Sequence, residues 1–250
     1  PRGEDVKLMK MSIIIPCYNA EKWIARSVKS ALEQTYKDTE VIFIDNESTD
    51  TSDTIAKSVG SDYDNFFYDK VKNIYPHCWD EPRARGLEMM TGDYMMVLGA
   101  DDFIEKDFVE NCVNILDKGQ CKIRALQSPI LGIDEHGAIL QKNNHSYNSL
   151  QEFKDLCLKM CPVNSPSVVY DANLYKEGMF KSYPEKYGGA ADYDLYCRLA
   201  DNGIFIYSFP SWLGYYYRWH PGQATWKVQR EGKNYDKMIQ EYWREKWKSH

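Results

Sequence analysis

Two adjacent carboxylates, Asp101 and Asp102, close an apolar run at Tyr94–Leu98. Side by side they repel one another unless a cation or several hydrogen-bond donors lie close. Hard oxygen donors suit Mg2+ or Mn2+, which bridge a diphosphate well; the same pair would also serve to cap the helix that follows. His220 stands between the run Leu213–Trp219 and Pro221-Gly222. A neutral imidazole there would complete a Mn2+ shell, or simply be a loop residue. Asp192 follows Gly188-Gly189-Ala190-Ala191 at the start of a helical stretch, where it reads as an N-cap or as a general base beside a glycine loop. Arg83 and Arg85 fall near the first turn of another helix, whose N-terminus favours anions. They read as a phosphate grip or as solvated surface charge.

These residues need elements to bring them together. Ser12–Ile15 is a β-branched run ending at Pro16 and reads as a buried strand. Trp23, Ile24, Val28, Ala31 and Leu32 recur at three- and four-residue spacing within Ala20–Thr35, an amphipathic helix. Val41–Ile44 is a second buried strand with Asp45 as its first polar residue. Ser48–Asp53 supplies caps for a helix through Val59, and Phe66–Tyr68 is a third strand. Pro82 opens a helix through Met90, stopped by Gly92; Tyr94–Leu98 is a strand and Lys106–Leu116 a helix.

Strands alternating with helices imply a mostly parallel α/β sheet, and ligands of such sheets bind beyond the carboxyl ends of the strands. Tyr18-Asn19, Asp45-Asn46-Glu47 and Asp101-Asp102 all sit at such ends and converge on one crevice. The second half is less regular. It offers strands at Ile123–Leu131, Ala138–Gln141, Ile204–Phe209 and Leu213–Trp219, and helices at Leu150–Leu158 and Asp192–Ala200.

Composition removes several classes of function. Acids outnumber bases 37 to 31 across 250 residues, a net charge of −6, which argues against a grip on nucleic acid. No apolar run reaches the roughly 18 residues that a membrane helix needs. Pro1–Lys10 is polar and is set aside from the fold as a tag or upstream remnant. The seven cysteines are irregularly spaced, and Cys157 and Cys161 lie i,i+4, so reduced thiols in a cytoplasmic protein are expected rather than a zinc site. Aromatics make up 14% of the chain, and residues 205–226 concentrate them. Their faces suit the apolar faces of sugar rings, although strand alternation puts about half in the core. The tail from Trp226 to His250, with Trp243 and Trp247 among Lys and Arg, reads as a helix packed on the domain or as a peripheral membrane contact.

The order of these motifs resembles family 2 glycosyltransferases. The runs are Ser12-Ile-Ile-Ile-Pro-Cys-Tyr-Asn19, Ala31-Leu-Glu-Gln-Thr-Tyr36, Val41-Ile-Phe-Ile-Asp45, Pro82-Arg-Ala-Arg-Gly86, Thr91-Gly-Asp-Tyr94, Ala100-Asp-Asp102, Asp192-Tyr-Asp-Leu195 and Tyr217-Arg-Trp-His220. The resemblance implies a GT-A fold forming one domain over 11–250: a nucleotide-sugar half to residue 102, an acceptor half over 103–225 and a helical tail. It implies inverting transfer of a hexosyl or N-acetylhexosaminyl group from a nucleoside-diphosphate donor, most often UDP, to a hydroxyl of a carbohydrate or glycoconjugate. Pro16, Cys17, Tyr18, Asp45, Arg83 and Asp101 would then meet the nucleotide, Asp102, Asp101 and His220 a Mn2+ or Mg2+ ion, Asp192 the acceptor's proton, and Tyr217 and Trp219 the acceptor. Gly99, Ala84 and Ala191 depart from the family pattern, in which Asp, Asn and an acidic residue respectively are common. A non-catalytic nucleotide-sugar or glycan-binding domain of the same fold is the competing expectation.

Overall fold

Strand β1 (Met11–Cys17) sets the layering, because Ile13, Ile14 and Ile15 are each fully buried. A strand buried on both faces needs parallel neighbours and helices above and below. The computed structural model, which describes residues 9–74, 80–118, 123–223 and 233–248, supplies both. Ile13 and Ile15 face helix α1 (Ile24–Leu32), meeting Val28 and Ala31, while Ile14 faces the opposite layer. β1 pairs in parallel with β2 (Thr39–Asp45), from which the chain runs through α2 (Ser52–Gly60) to β3 (Phe66–Lys70). Helix α3 (Asp80–Met89) then leads to β4 (Tyr94–Val97), the other parallel neighbour of β1.

The chain next passes to a second sheet at β5 (Phe103–Ile104) and returns through α4 (Phe108–Lys118) and β6 (Ala125–Gln127). β7 (Ile130–Ile133) and β8 (Ile139–Asn143) belong to the second sheet. Helix α5 (Leu150–Cys157) precedes β9 (Val169–Asp171), α6 (Asn173–Lys176), α7 (Pro184–Tyr187) and α8 (Ala191–Asp201). β10 (Tyr207–Ser208), β11 (Tyr215–Arg218) and α9 (Tyr235–Lys248) complete the described chain. The large sheet has the order β10-β6-β9-β4-β1-β2-β3, and the smaller one β5-β11-β7-β8. The fold is a mostly parallel α/β sheet flanked by helices, as its sequence pattern implies.

Three local expectations change. The single strand expected over Ile123–Leu131 divides into β6 and β7, which lie in different sheets. Pro129 has no N–H for a ladder, and the backbone of Ser128 turns instead to side chains: its N–H donates to Ser167 Oγ, and its carbonyl accepts from Ser167 Oγ and Asn164 Nδ2. β9 runs antiparallel between β4 and β6, and three residues were too short a signal to read. Ile204–Phe209 forms ladder only at Tyr207–Ser208.

The tail packs on the domain. Trp243 is buried and donates from Nε1 to Asp194 Oδ1 at 3.0 Å; Trp247 donates to Asp201 at 3.0 Å, beside the Lys246–Asp201 pair. Both rings are thereby tied to helix α8 by hydrogen bonds. Trp226 lies outside the described residues, as do Cys78 and Cys121. Among the described residues Cys17, Cys112, Cys157, Cys161 and Cys197 are free thiols, and no helix is long and apolar enough to cross a membrane.

Residues 9 and 10, set aside with the first ten, belong to the fold. The Met9 carbonyl accepts from Tyr36 OH at 2.7 Å, and the Lys10 N–H donates to Asp93 Oδ2 at 3.0 Å. Lys10 Nζ also meets Glu40 at 2.7 Å. Glu40 is buried at the amino end of the sheet and accepts from Ser12 Oγ and from the N–H and hydroxyl of Thr91. Gly92 is required beside this clamp, since a Cβ there would lie 2.5 Å from Ser12 Oγ and 2.8 Å from the Lys10 carbonyl. Burial alone would raise the Glu40 carboxyl, but its four donors hold it below the usual range. Its stabilisation is therefore present above the ordinary glutamate pKa and lost as pH falls through the lower folded value. Glu40→Gln should lower stability at pH 7 by about 1–2 kcal/mol, with a difference that shrinks in acid. Urea melts at pH 7 and pH 4 read this, and equal midpoints at pH 7 would show that the clamp stabilises nothing.

Candidate active site

β2 and β4 flank β1 in parallel, so the carboxyl ends of all three strands open on one edge. The register sets Cys17 opposite Asp45, and the Asn46 N–H donates to the Cys17 carbonyl at 2.8 Å. Asp45 is fully buried; Lys70 Nζ reaches its Oδ2 at 3.2 Å, and the Ser48 N–H donates to Oδ1 at 3.2 Å. A carboxylate held by a cation and a backbone donor is an acceptor of fixed aim, suited to an N–H on a base. The loops after β1 and β2 are tied across the mouth: Ala20 N–H donates to Ser52 Oγ at 2.8 Å, and Thr49 N–H to Asn19 Oδ1 at 2.8 Å. Asn19 takes a left-handed backbone, φ 51°, that asparagine tolerates. Cys17 points inward and burial pushes its thiol up to about 12, so it packs as a neutral side chain. Pro16 is partly buried beside it, and Tyr18 is 43% exposed at the rim.

The two adjacent aspartates differ in burial and in partners. Asp102 is buried, accepting from Tyr215 OH at Oδ2 and from the Arg218 N–H at Oδ1, each at 2.8 Å. Asp101 turns outward, and its Oδ2 lies 2.8 Å from His220 Nε2. Arg218 organises both, its Nε donating to the Asp101 carbonyl at 2.8 Å and Nη1 to the Asp134 and Glu135 carbonyls at 3.0 and 3.1 Å. The His220 ring packs on Trp23, with centroids 4.1 Å apart. Gly99 is where a Cβ would lie 2.6 Å from Asp102 Oδ2 and 3.0 Å from Asp101 Oδ1. The missing acidic side chain at 99 thus leaves the space into which these carboxylates fold.

Asp192 begins α8, partly buried. Ser165 Oγ donates to its Oδ2 at 2.6 Å and the Tyr193 N–H to its Oδ1 at 2.8 Å. Burial raises the carboxyl above the usual aspartate range, while Ser165, the Tyr193 N–H and the charge of Arg83 oppose the rise. The charge of Arg83 thus acts on Asp192, and Arg83 also holds Asp80 at 3.2 Å. Ala191 is 4% exposed, so an acidic residue there would enter the apolar layer.

Three expectations need correction. Arg85 is not part of an anion grip: it points to β3, 2.5 Å from Asp69 and 3.0 Å from Glu88. Helix α3 also starts earlier than expected, and Asp80 and Glu81 already occupy its first turn. The triple set Asp101, Asp102 and His220 is not assembled, and among the described residues no group of three or more His, Cys, Asp or Glu is placed to hold a metal. Asp102 is committed to Tyr215 and Arg218, which leaves one carboxylate and one imidazole. That pair fits Mn2+ or Mg2+, ions that take few protein ligands and complete their shell with phosphate oxygens and water.

Tyr217 of β11 and Trp219 just beyond its end flank Arg218, their ring centroids 5.3 Å apart and edge to face. Both are partly buried, whereas Tyr215 is core and packs on Phe108. Sequence reasoning missed the roles of Arg218 and Tyr215, although Arg218 stands beside His220 in a motif that it did single out. Ser165 had no signal; only the fold brings it to Asp192.

The family model for glycosyl transferase family 2 matches residues 12–181. An uncharacterized glycosyltransferase of Rickettsia felis is 27% identical over 191 residues, 76% of this chain and 30% of that protein. Chondroitin synthase of Escherichia coli is 28% identical over 197 residues, 78% of this chain and 27% of that protein. The chain therefore spans less than a third of the length of these relatives. Among solved structures, S. aureus TarS 1-349 in complex with UDP-GlcNAc superposes with a TM-score of 0.68 at 21% identity, covering 86% of this chain and 60% of that one. The mannosyltransferase PcManGT of Pyrobaculum calidifontis, in complex with GDP-Man and Mn2+, gives 0.64 at 16% identity, covering 90% and 61%. With the family match spanning well over half of its length and its sheet arranged as in these enzymes, the chain is a GT-A-fold member of glycosyl transferase family 2.

Proposed function

We propose that this chain transfers a glycosyl group, with inversion, from a nucleoside-diphosphate sugar to a hydroxyl of a carbohydrate or glycoconjugate. One observation carries the reading: Asp101 and His220, distant in sequence, meet at 2.8 Å beyond the carboxyl ends of β1 and β4. The relatives bound to UDP-GlcNAc and to GDP-Man with Mn2+ support the donor class. Asp45 is the group placed to read the base, and UDP is the donor nucleotide proposed.

Asp101 and His220 would hold a divalent cation against the diphosphate. Bound there, the ion supplies Lewis-acid neutralisation of charge on the leaving group. Arg218 keeps the Asp101 backbone in place, Trp23 packs on the His220 ring, and the charge of Arg83 acts on Asp192. Asp192 accepts the proton of the attacking hydroxyl, and its raised pKa brings it nearer the working pH of a general base. Tyr217 and Trp219 offer ring faces and polar edges for the acceptor.

Asp192→Asn should lower transfer by roughly 10²–10⁴-fold while leaving UDP affinity unchanged. Equal loss of both would remove the base assignment. Because Asp192 must be ionised to accept a proton and burial raises its pKa, wild-type kcat/KM should fall on the acid side at a pH above the ordinary aspartate value of about 4. For the cation, calorimetry of UDP binding with Mn2+ and with EDTA separates the contributions. Chelation should weaken UDP binding reversibly, and His220→Ala should weaken it at least as much as the roughly 10–100-fold typical of groups that only support a metal ligand. UDP affinity indifferent to both EDTA and His220→Ala would refute the metal pair.

A further inference from the structure

A general base in a buried place faces opposed demands, since burial favours its neutral form while catalysis needs it charged and aimed. Two donors answer this at Asp192. The Tyr193 N–H is a backbone donor that any residue at 193 other than proline would supply. The other, Ser165 Oγ at 2.6 Å, depends on a hydroxyl at one place in the fold. That hydroxyl accepts from Tyr196 OH at 2.7 Å on one lone pair, and its one proton goes to Asp192. Tyr196 lies one turn beyond Asp192 on the same face of α8. Helix and hydroxyl therefore close a small ring: Tyr196 to Ser165, Ser165 to Asp192.

Both sides of the ring are anchored. Ser165 opens a short 3-10 turn whose preceding residue, Asn164, donates its N–H to Gln127 Oε1 at 2.8 Å and its amide to the Ser128 carbonyl at 3.1 Å. Gln127 in turn donates to Tyr147 OH and to the Pro162 carbonyl, all of it buried. On the other side α8 is held through Asp194, which accepts from Arg198 Nε at 2.8 Å and Trp243 Nε1 at 3.0 Å. A satisfied buried network of this kind holds one geometry.

We propose that Ser165 is the positioning residue of Asp192: polarised by Tyr196, its hydroxyl holds Oδ2 in one orientation as an ionised acceptor and leaves the remaining lone pairs of the carboxylate to the substrate hydroxyl. The proposal rests on the reading of Asp192 as the base. Among the described residues, the charged and titratable groups acting on Asp192 or facing it are Arg83 of α3, Cys161 after α5, Tyr170 of β9 and Tyr196 of its own helix. Ser165→Ala leaves all of them in place.

The test is a carbon-13 titration of the full chain with carboxyl-labelled aspartate, the Asp192 signal being the one lost in Asp192→Asn. Ser165→Ala should raise the Asp192 midpoint by about one pH unit, the worth of one hydrogen bond to a charged group. Tyr196→Phe should raise it by less, and Ser165→Thr should bring it back toward wild type. An unmoved midpoint in Ser165→Ala, or a threonine midpoint no nearer wild type than that of alanine, overturns the proposal. Should Ser165→Ala lose its folded spectrum, Tyr196→Phe decides: a rise supports the proposal and an unmoved midpoint overturns it. Hydrolysis of UDP-N-acetylglucosamine separates the two layers. If Asp192→Asn keeps the wild-type rate, the base reading falls and the positioning role with it; if that rate is lost while the Ser165→Ala midpoint stays put, the positioning role falls alone.

Discussion

The carboxylate of Asp102 is buried with its neighbour's charge beside it, and the architecture around it answers that cost. Burial, and then Asp101, push its pKa well up; the Arg218 N–H, Tyr215 and the Arg218 charge pull the other way. Those partners come from β11, in the second sheet, while Asp102 follows β4 in the first. One buried acid thus stitches the sheets at the point where the chain crosses between them. An acid left without its partners in such a place would cost several kcal/mol, so the stitch constrains everything adjoining it. Gly99 has to lack a side chain, Arg218 has to extend under Asp101, and Asp101 is left facing out toward His220.

The surroundings of Asp192 are built on the same plan from different parts. The chain leaves the large sheet again at Ser128-Pro129, and side chains of Asn164 and Ser167 satisfy the backbone released there. The turn fixed by that duty presents Ser165 to Asp192. These two passages from the large sheet to the small one are accordingly sealed by buried polar groups, and beside each seal stands one of the carboxylates proposed to act: Asp101 at the first, Asp192 at the second.

Much of this was legible in the residues. The β-branched runs at Ser12–Ile15 and Val41–Ile44 are buried strands because both their faces are covered, and a continuous apolar run records that. Asp45, Asp101, Asp192 and His220 stood out as polar residues at element ends, where topology brings strand termini together. What was not legible depended on orientation and on distant contact. Asp101 and Asp102 are identical in type and adjacent, and only Tyr215 and Arg218 decide which of them turns inward. Arg85 resembles Arg83 by spacing, yet Asp69 on β3 draws it away. The break after Gln127 hinged on a proline in a run that otherwise alternates as a strand. Ser165 lay in an irregular segment, and its role exists only through the packing of α8.

The central claim is that the outward Asp101 and His220, and not the buried Asp102, meet the cation and diphosphate of the donor. A crystal structure of the chain with UDP and Mn2+, with the ion located by anomalous scattering, tests it most directly. The account predicts Mn2+ bound by Asp101 and His220 together with diphosphate oxygens, while Asp102 keeps its bonds to Tyr215 and Arg218. Mn2+ ligated by Asp102 with those bonds broken, or UDP seated away from the carboxyl ends of β1, β2 and β4, would contradict it.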